Sequence, residues 1–71
     1  MYFDVIATGK KIKELRRKAG LTQEQFAEKL GITRDHLAHI EIGRKAPSLD
    51  LVVIMAGQLE VGFNDIIMTM N

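Results

Sequence analysis

Apolar residues recur along this chain mostly at the three- and four-residue spacing of a helix, and glycines and one proline punctuate the pattern. From about Asp4 to Ala19, the positions Val5, Ile6, Ile12, Leu15 and Ala19 share one side, while Lys13, Arg17 and Lys18 lie off it. Asp4 is placed to cap this first helix and Gly20 to end it. Gly9 inside it costs helix propensity, about 1 kcal/mol against alanine. Close packing is the only reason for Gly9 that the sequence suggests.

A second helix is predicted to open at Thr22. Thr22-Gln23-Glu24-Gln25 is a capping box, and Leu21 and Phe26 are spaced as a hydrophobic staple across it. Phe26, Ala27 and Leu30 face inward, and Gly31 stops the helix. A third helix repeats the device, with Ile32 before the cap Thr33 and Leu37 as staple partner. Its periodicity puts Leu37, Ile40, Glu41 and Arg44 on one face and Asp35, Ala38, His39 and Ile42 on the other, with Gly43 at its end. After Pro47, Ser48 is expected to cap a fourth helix from about Leu49 to Leu59, apolar nearly all round and so central and buried. A short fifth helix is expected from about Phe63 to Met68, with fraying at Thr69-Met70-Asn71.

The predicted class is therefore all-α, five helices in a single domain over residues 1–71. Helices two and three, about residues 22–42, meet across Gly31-Ile32-Thr33. Such a joint holds the second helix of the pair outward, with its N–H groups and partial positive charge exposed. That end suits an anionic groove.

Charge sharpens this picture. Residues 1–47 hold ten Lys and Arg against six acids, a net +4, while residues 48–71 hold three acids and no base, a net −3. One face toward phosphate and another toward protein would explain the split, and so would a coincidence of solvated helix faces. There is no cysteine, no apolar run of membrane-spanning length and no signal-peptide pattern at the N-terminus, so a reducing cytoplasm is the expected location. No Ser/His/Asp set, metal cluster or phosphate loop is present, which argues against an enzyme, a cofactor or a small-molecule ligand. His36 and His39 lack the cysteines and spacing of a zinc site.

Three segments carry a resemblance: Ile-Lys-Glu-Leu-Arg (12–16), Gly-Leu-Thr-Gln-Glu-Gln-Phe-Ala-Glu-Lys-Leu-Gly (20–31) and Ile-Glu-Ile-Gly-Arg-Lys-Ala-Pro-Ser (40–48). Together they are similar to the lambda and 434 repressor and Cro family of helix-turn-helix proteins, the XRE family, over about residues 6–67. The resemblance implies a lambda-repressor-like DNA-binding domain. It implies base reading by Arg34, Asp35 and His39, and Ala38 on the same face is small enough to join them. It implies phosphate contacts by Thr22, Gln23, Thr33, Arg44 and Lys45, with His36 at the edge of that face. Arg16 and Glu41 would join helices one and three in a structural salt bridge.

The chemistry suits these roles. Arginine can donate twice to guanine O6 and N7, aspartate can accept from cytosine N4, and alanine can lie against a thymine methyl. Equally, Arg34 and Asp35 could be a solvated first turn, with Asp35 complementing the dipole. Ile42 departs from the polar residue usual before the glycine, and Glu60 and Gly62 replace a usual glycine and a usual serine cap. An apolar side chain at position 42 could meet a sugar, a thymine methyl or a neighbouring loop.

The implied function is sequence-specific binding of double-stranded DNA by a transcriptional regulator, of the repressor type found on bacterial phages, plasmids and mobile elements. Two copies would read a pseudo-palindrome, with recognition helices about 34 Å apart. A chain this short leaves no room for a ligand or cleavage domain, so dimerisation, a partner protein or concentration would set regulation. The apolar end over residues 63–71 is the expected homodimer interface, through Phe63, Ile67, Met68 and Met70, with Phe63 and Ile66 also expected to close the core. The alternative is an antitoxin or other protein-interaction module whose DNA binding is secondary.

Overall fold

The computed structural model describes residues 2–70. In chain order these form strand β1 (Tyr2–Phe3), helices α1 (Val5–Lys18), α2 (Gln23–Leu30), α3 (Arg34–Glu41) and α4 (Leu49–Leu59), a single 3-10 turn (Phe63–Asp65) and strand β2 (Thr69–Met70). Each α-helix begins where a side-chain oxygen takes over an orphan backbone N–H. Asp4 accepts from Ala7, Thr22 from Gln25, Thr33 from His36 and Ser48 from Leu51, at 2.9–3.2 Å. The core lies where α1, α2, α3 and α4 converge. Ile12, Phe26, Leu37, Ile40, Met55 and Ile66 are fully enclosed there.

Among the described residues four α-helices form, not five. Phe63, Ile66 and Ile67 have helical spacing, but the helix stops after the one 3-10 turn. Ile66 then drops into the core, and the following residues extend to pair antiparallel with β1, Tyr2 opposite Met70 and Phe3 opposite Thr69. Two β-branched isoleucines and Thr69 favour that extended path. Thr8, wholly buried on α1, clasps it: Met68 N–H donates to Thr8 Oγ1 at 3.0 Å, and Asp4 N–H donates to the Met68 carbonyl at 2.9 Å. Thr69 and Met70 are thus paired rather than frayed; Asn71 lies outside the described residues.

Two helix faces differ from the sequence expectation. On α1 the buried side is Thr8, Gly9, Ile12 and Arg16, while Ile6 is 61% exposed and Ala19 is exposed. Helix α1 is rotated so that Gly9 lies against α3. A Cβ at Gly9 would overlap the Ile40 carbonyl oxygen and sit 3.0 Å from that of Glu41. On α4, Leu51, Val52, Met55 and Ala56 are buried, but Leu49, Val53 and Ile54 are 67%, 58% and 45% exposed. The helix is half covered, not central.

Candidate nucleic-acid interface

The α2–α3 joint is built around Gly31, which takes the left-handed conformation at φ 73°, ψ 29°. A side chain would strain that backbone. Ile32 N–H then reaches back to the Ala27 carbonyl at 3.0 Å, closing α2 before Thr33 starts α3. Leu37, Ile40 and Glu41 bury one side of α3, leaving Arg34, Asp35 and His39 exposed and Ala38 half-buried on the other. All four residues expected to read bases therefore lie on one outward arc. Ile42, the residue that caps α3, stands 57% exposed on the same arc.

The expected phosphate residues border it. The Thr22 and Thr33 hydroxyl oxygens accept from helix N–H groups, which leaves each hydroxyl proton free to donate. His36 is half-buried beside Thr33. Arg44 and Lys45 are exposed, and their backbone N–H groups both donate to the His39 carbonyl, at 2.9 and 3.3 Å. That loop is therefore tied to the end of α3. Neither base has an acid within 4.0 Å among the described residues.

Behind the arc sits a buried charge cluster. Arg16 Nε donates to Glu41 Oε2 at 2.7 Å and its Nη2 to Oε1 at 3.1 Å, a two-pronged pair between α1 and α3. Arg16 Nη1 donates to the Leu21 carbonyl at 2.7 Å, tying in the start of α2. Gln23 supplies what sequence reasoning missed. Its Nε2 donates to Glu41 Oε1 at 3.0 Å, so the residue expected on a phosphate also holds α2 to α3. No spacing signal marks that bond. One amide hydrogen and the carbonyl of Gln23 remain for other partners.

The expected dimer residues are spread. Phe63 and Met70 are 40% and 46% exposed, while Ile67 and Met68 are half-buried against their own chain. Phe63 does not close the core; Ile66 does. Among the described residues no three His, Cys, Asp or Glu side chains cluster to hold a metal, and no helix is long and apolar enough to cross a membrane.

The sequence model of a helix-turn-helix family matches residues 12–66, a span holding α2, α3, α4 and the second half of α1. The chain belongs to that family, whose members are DNA-binding regulators and not enzymes. It is 39% identical over 62 residues to the immunity repressor protein of Bacillus phage phi105, a match spanning 87% of this chain and 43% of the repressor. The chain thus spans less than half of that relative's length. Its fold is similar to that of the restriction-modification controller protein C.AhdI from Aeromonas hydrophila, with a TM-score of 0.83 and 28% identity over 89% of this chain and 96% of that one. It is also similar to SinR, the master regulator for biofilm formation, solved in complex with DNA; the TM-score is 0.75, with 28% identity over 80% of this chain and 92% of that one.

Proposed function

We propose that this chain is a sequence-specific transcriptional regulator of the repressor type, acting in the cytoplasm as a homodimer on a pseudo-palindromic site in double-stranded DNA. One observation carries the reading. Arg34, Asp35, Ala38 and His39 share an outward arc on a helix held by a left-handed glycine, bordered by Arg44 and Lys45, which have no acid within 4.0 Å among the described residues. The likeness to a protein solved on DNA and to a phage repressor supports it. Arg34 reads guanine, Asp35 accepts from cytosine, and Ala38 packs on a thymine methyl. Thr22, Gln23, Thr33, His36, Arg44 and Lys45 hold the backbone.

Arg34→Ala is expected to cost about 1–3 kcal/mol on the preferred site and to relax one base position. Site selection from random duplex, followed by titration of the variant on selected and scrambled DNA, tests this. Equal loss on both would reassign Arg34 to a phosphate. Failure to enrich any site would favour a protein-binding module instead.

For the dimer, the outward side of α4 offers more apolar surface than the chain end alone, and the 3-10 turn with Phe63 packs beside it. Leu49, Val53 and Gly57 follow one another at one-turn intervals, and nothing lies within 4 Å of a Cβ built on Gly57. A second copy can approach closely there, with Phe63 and Met70 at the margin. Val53→Glu should then shift the protein to monomer in sedimentation and weaken binding to a palindrome at least about tenfold, by removing the second, tethered half-site contact. Unchanged sedimentation would place the interface elsewhere.

A further inference from the structure

Apart from Lys18 on its far flank, helix α1 carries three exposed bases, Lys10, Lys13 and Arg17, that no role above uses. At 3.6 residues per turn they fall within about 60° of arc. Among the described residues none has an acid within 4.0 Å, whereas Lys11 lies 3.8 Å from Glu14 and Arg16 is bound to Glu41. We infer that these three side chains form a second strip of contacts to the DNA backbone, flanking the base-reading helix.

The two flanks of α1 face different neighbours. Leu15, Lys18 and Ala19 line a shallow depression together with Leu59 and Val61, so that flank faces the end of α4. The other flank faces α3, through Gly9 against Ile40 and Glu41 and through Ile6 against Gly43. By helical periodicity Lys10, Lys13 and Arg17 lie in the same row as Ile6, on the α3 side. One end of the row meets Gly43, directly before Arg44 and Lys45. At the other, Arg17 follows Arg16, whose guanidinium reaches Leu21 and, through Glu41, Gln23 at the start of α2. The strip thus joins the two groups proposed to hold phosphates, the loop after α3 and the first turn of α2. Lys10 to Arg17 spans about 10 Å along the axis, close to three base steps of duplex. Three exposed cations in a row, with no acid within 4.0 Å among the described residues, match a polyanion that continues past the contacted groove.

This inference rests on the proposed DNA function and is tested so that the two can fail separately. The full chain carrying Lys10→Ala, Lys13→Ala and Arg17→Ala is compared with wild type and with a charge-matched control carrying Lys11→Ala, Lys18→Ala and Lys29→Ala. Binding to a duplex extending beyond the selected site is titrated across a salt series, with thermal melts to confirm folding. The strip variant should lower the slope of log affinity against log salt by about 2.7 per bound protomer, so its deficit shrinks about sixfold with each doubling of salt. Its ratio of specific to random affinity should stay unchanged, since phosphate contacts carry no sequence information. The control should keep nearly the wild-type slope. A steep wild-type slope with the strip variant unchanged, or with both variants equally reduced, overturns the strip and leaves the DNA function standing. A wild type that binds no duplex, or binds without salt dependence, overturns both.

Discussion

Glu41→Ala is expected to leave little folded protein at room temperature. Glu41 is 3% exposed, and its carboxylate takes three hydrogen bonds, two from Arg16 and one from Gln23. Removing it strands the guanidinium of Arg16, a residue only 6% exposed, with only the Leu21 carbonyl as partner. Breaking a buried pair from one side costs about 3–5 kcal/mol. A domain of this size holds only about 5 kcal/mol in total. Urea melts followed by circular dichroism measure the loss directly. Arg16→Met combined with Glu41→Leu should recover most of it, because apolar side chains of similar volume remove both charges and leave none buried. Gln23, half-buried, can then turn its amide to water. A Glu41→Ala protein that melts within about 1 kcal/mol of wild type would show that water screens the pair, against its burial in the structure.

The ion pair was open to inference because a glutamate on the inward face of an amphipathic helix demands a cation. The same kind of local physics made the four helix starts readable. A cap oxygen and an N–H three residues on are close in sequence, so Asp4, Thr22, Thr33 and Ser48 declare themselves. Gly31 likewise marks a left-handed turn whatever surrounds it. What could not be read depends on residues far apart in the chain. The segment after Phe63 has helical spacing, yet its path is decided by Thr8 and by pairing with β1, about 60 residues earlier. The outward arc of α4 carries leucine, valine and isoleucine, so periodicity alone could not tell a half-covered helix from a buried one. The bond from Gln23 to Glu41 crosses 18 residues and follows from how α2 and α3 meet, not from any motif. On the outward arc of α3, Arg34, Asp35 and His39 were legible as exposed because their neighbours Leu37 and Ile40 so plainly face in. Ile42 is exposed there too, and nothing in the structure explains it.

Gly9 is the sharpest of these long-range dependences, and two glycine substitutions of opposite sign expose it. Gly9→Ala should cost about 3 kcal/mol, the upper part of the usual overpacking range, because the added methyl meets backbone and not a side chain that could swing away. Its Cβ would overlap the Ile40 carbonyl and approach that of Glu41. Relief requires α1 and α3 to move apart. That movement would stretch the Arg16 bonds to Glu41, now 2.7 and 3.1 Å, and tilt the helix that carries Arg34 and His39. Binding to a selected site should therefore fall further than binding to random duplex, even at temperatures where the variant is fully folded. Gly57→Ala sits in an equally regular stretch of helix, with nothing within 4 Å of the new methyl. Within one protomer the helix propensity of alanine acts alone, and the stability of the monomer should rise by about 0.5–1 kcal/mol. Denaturant melts of the two variants side by side separate propensity from packing. If Gly9→Ala gained stability as Gly57→Ala does, the close crossing of α1 and α3 would be disproved, and with it the account of why a glycine sits inside a helix at that point.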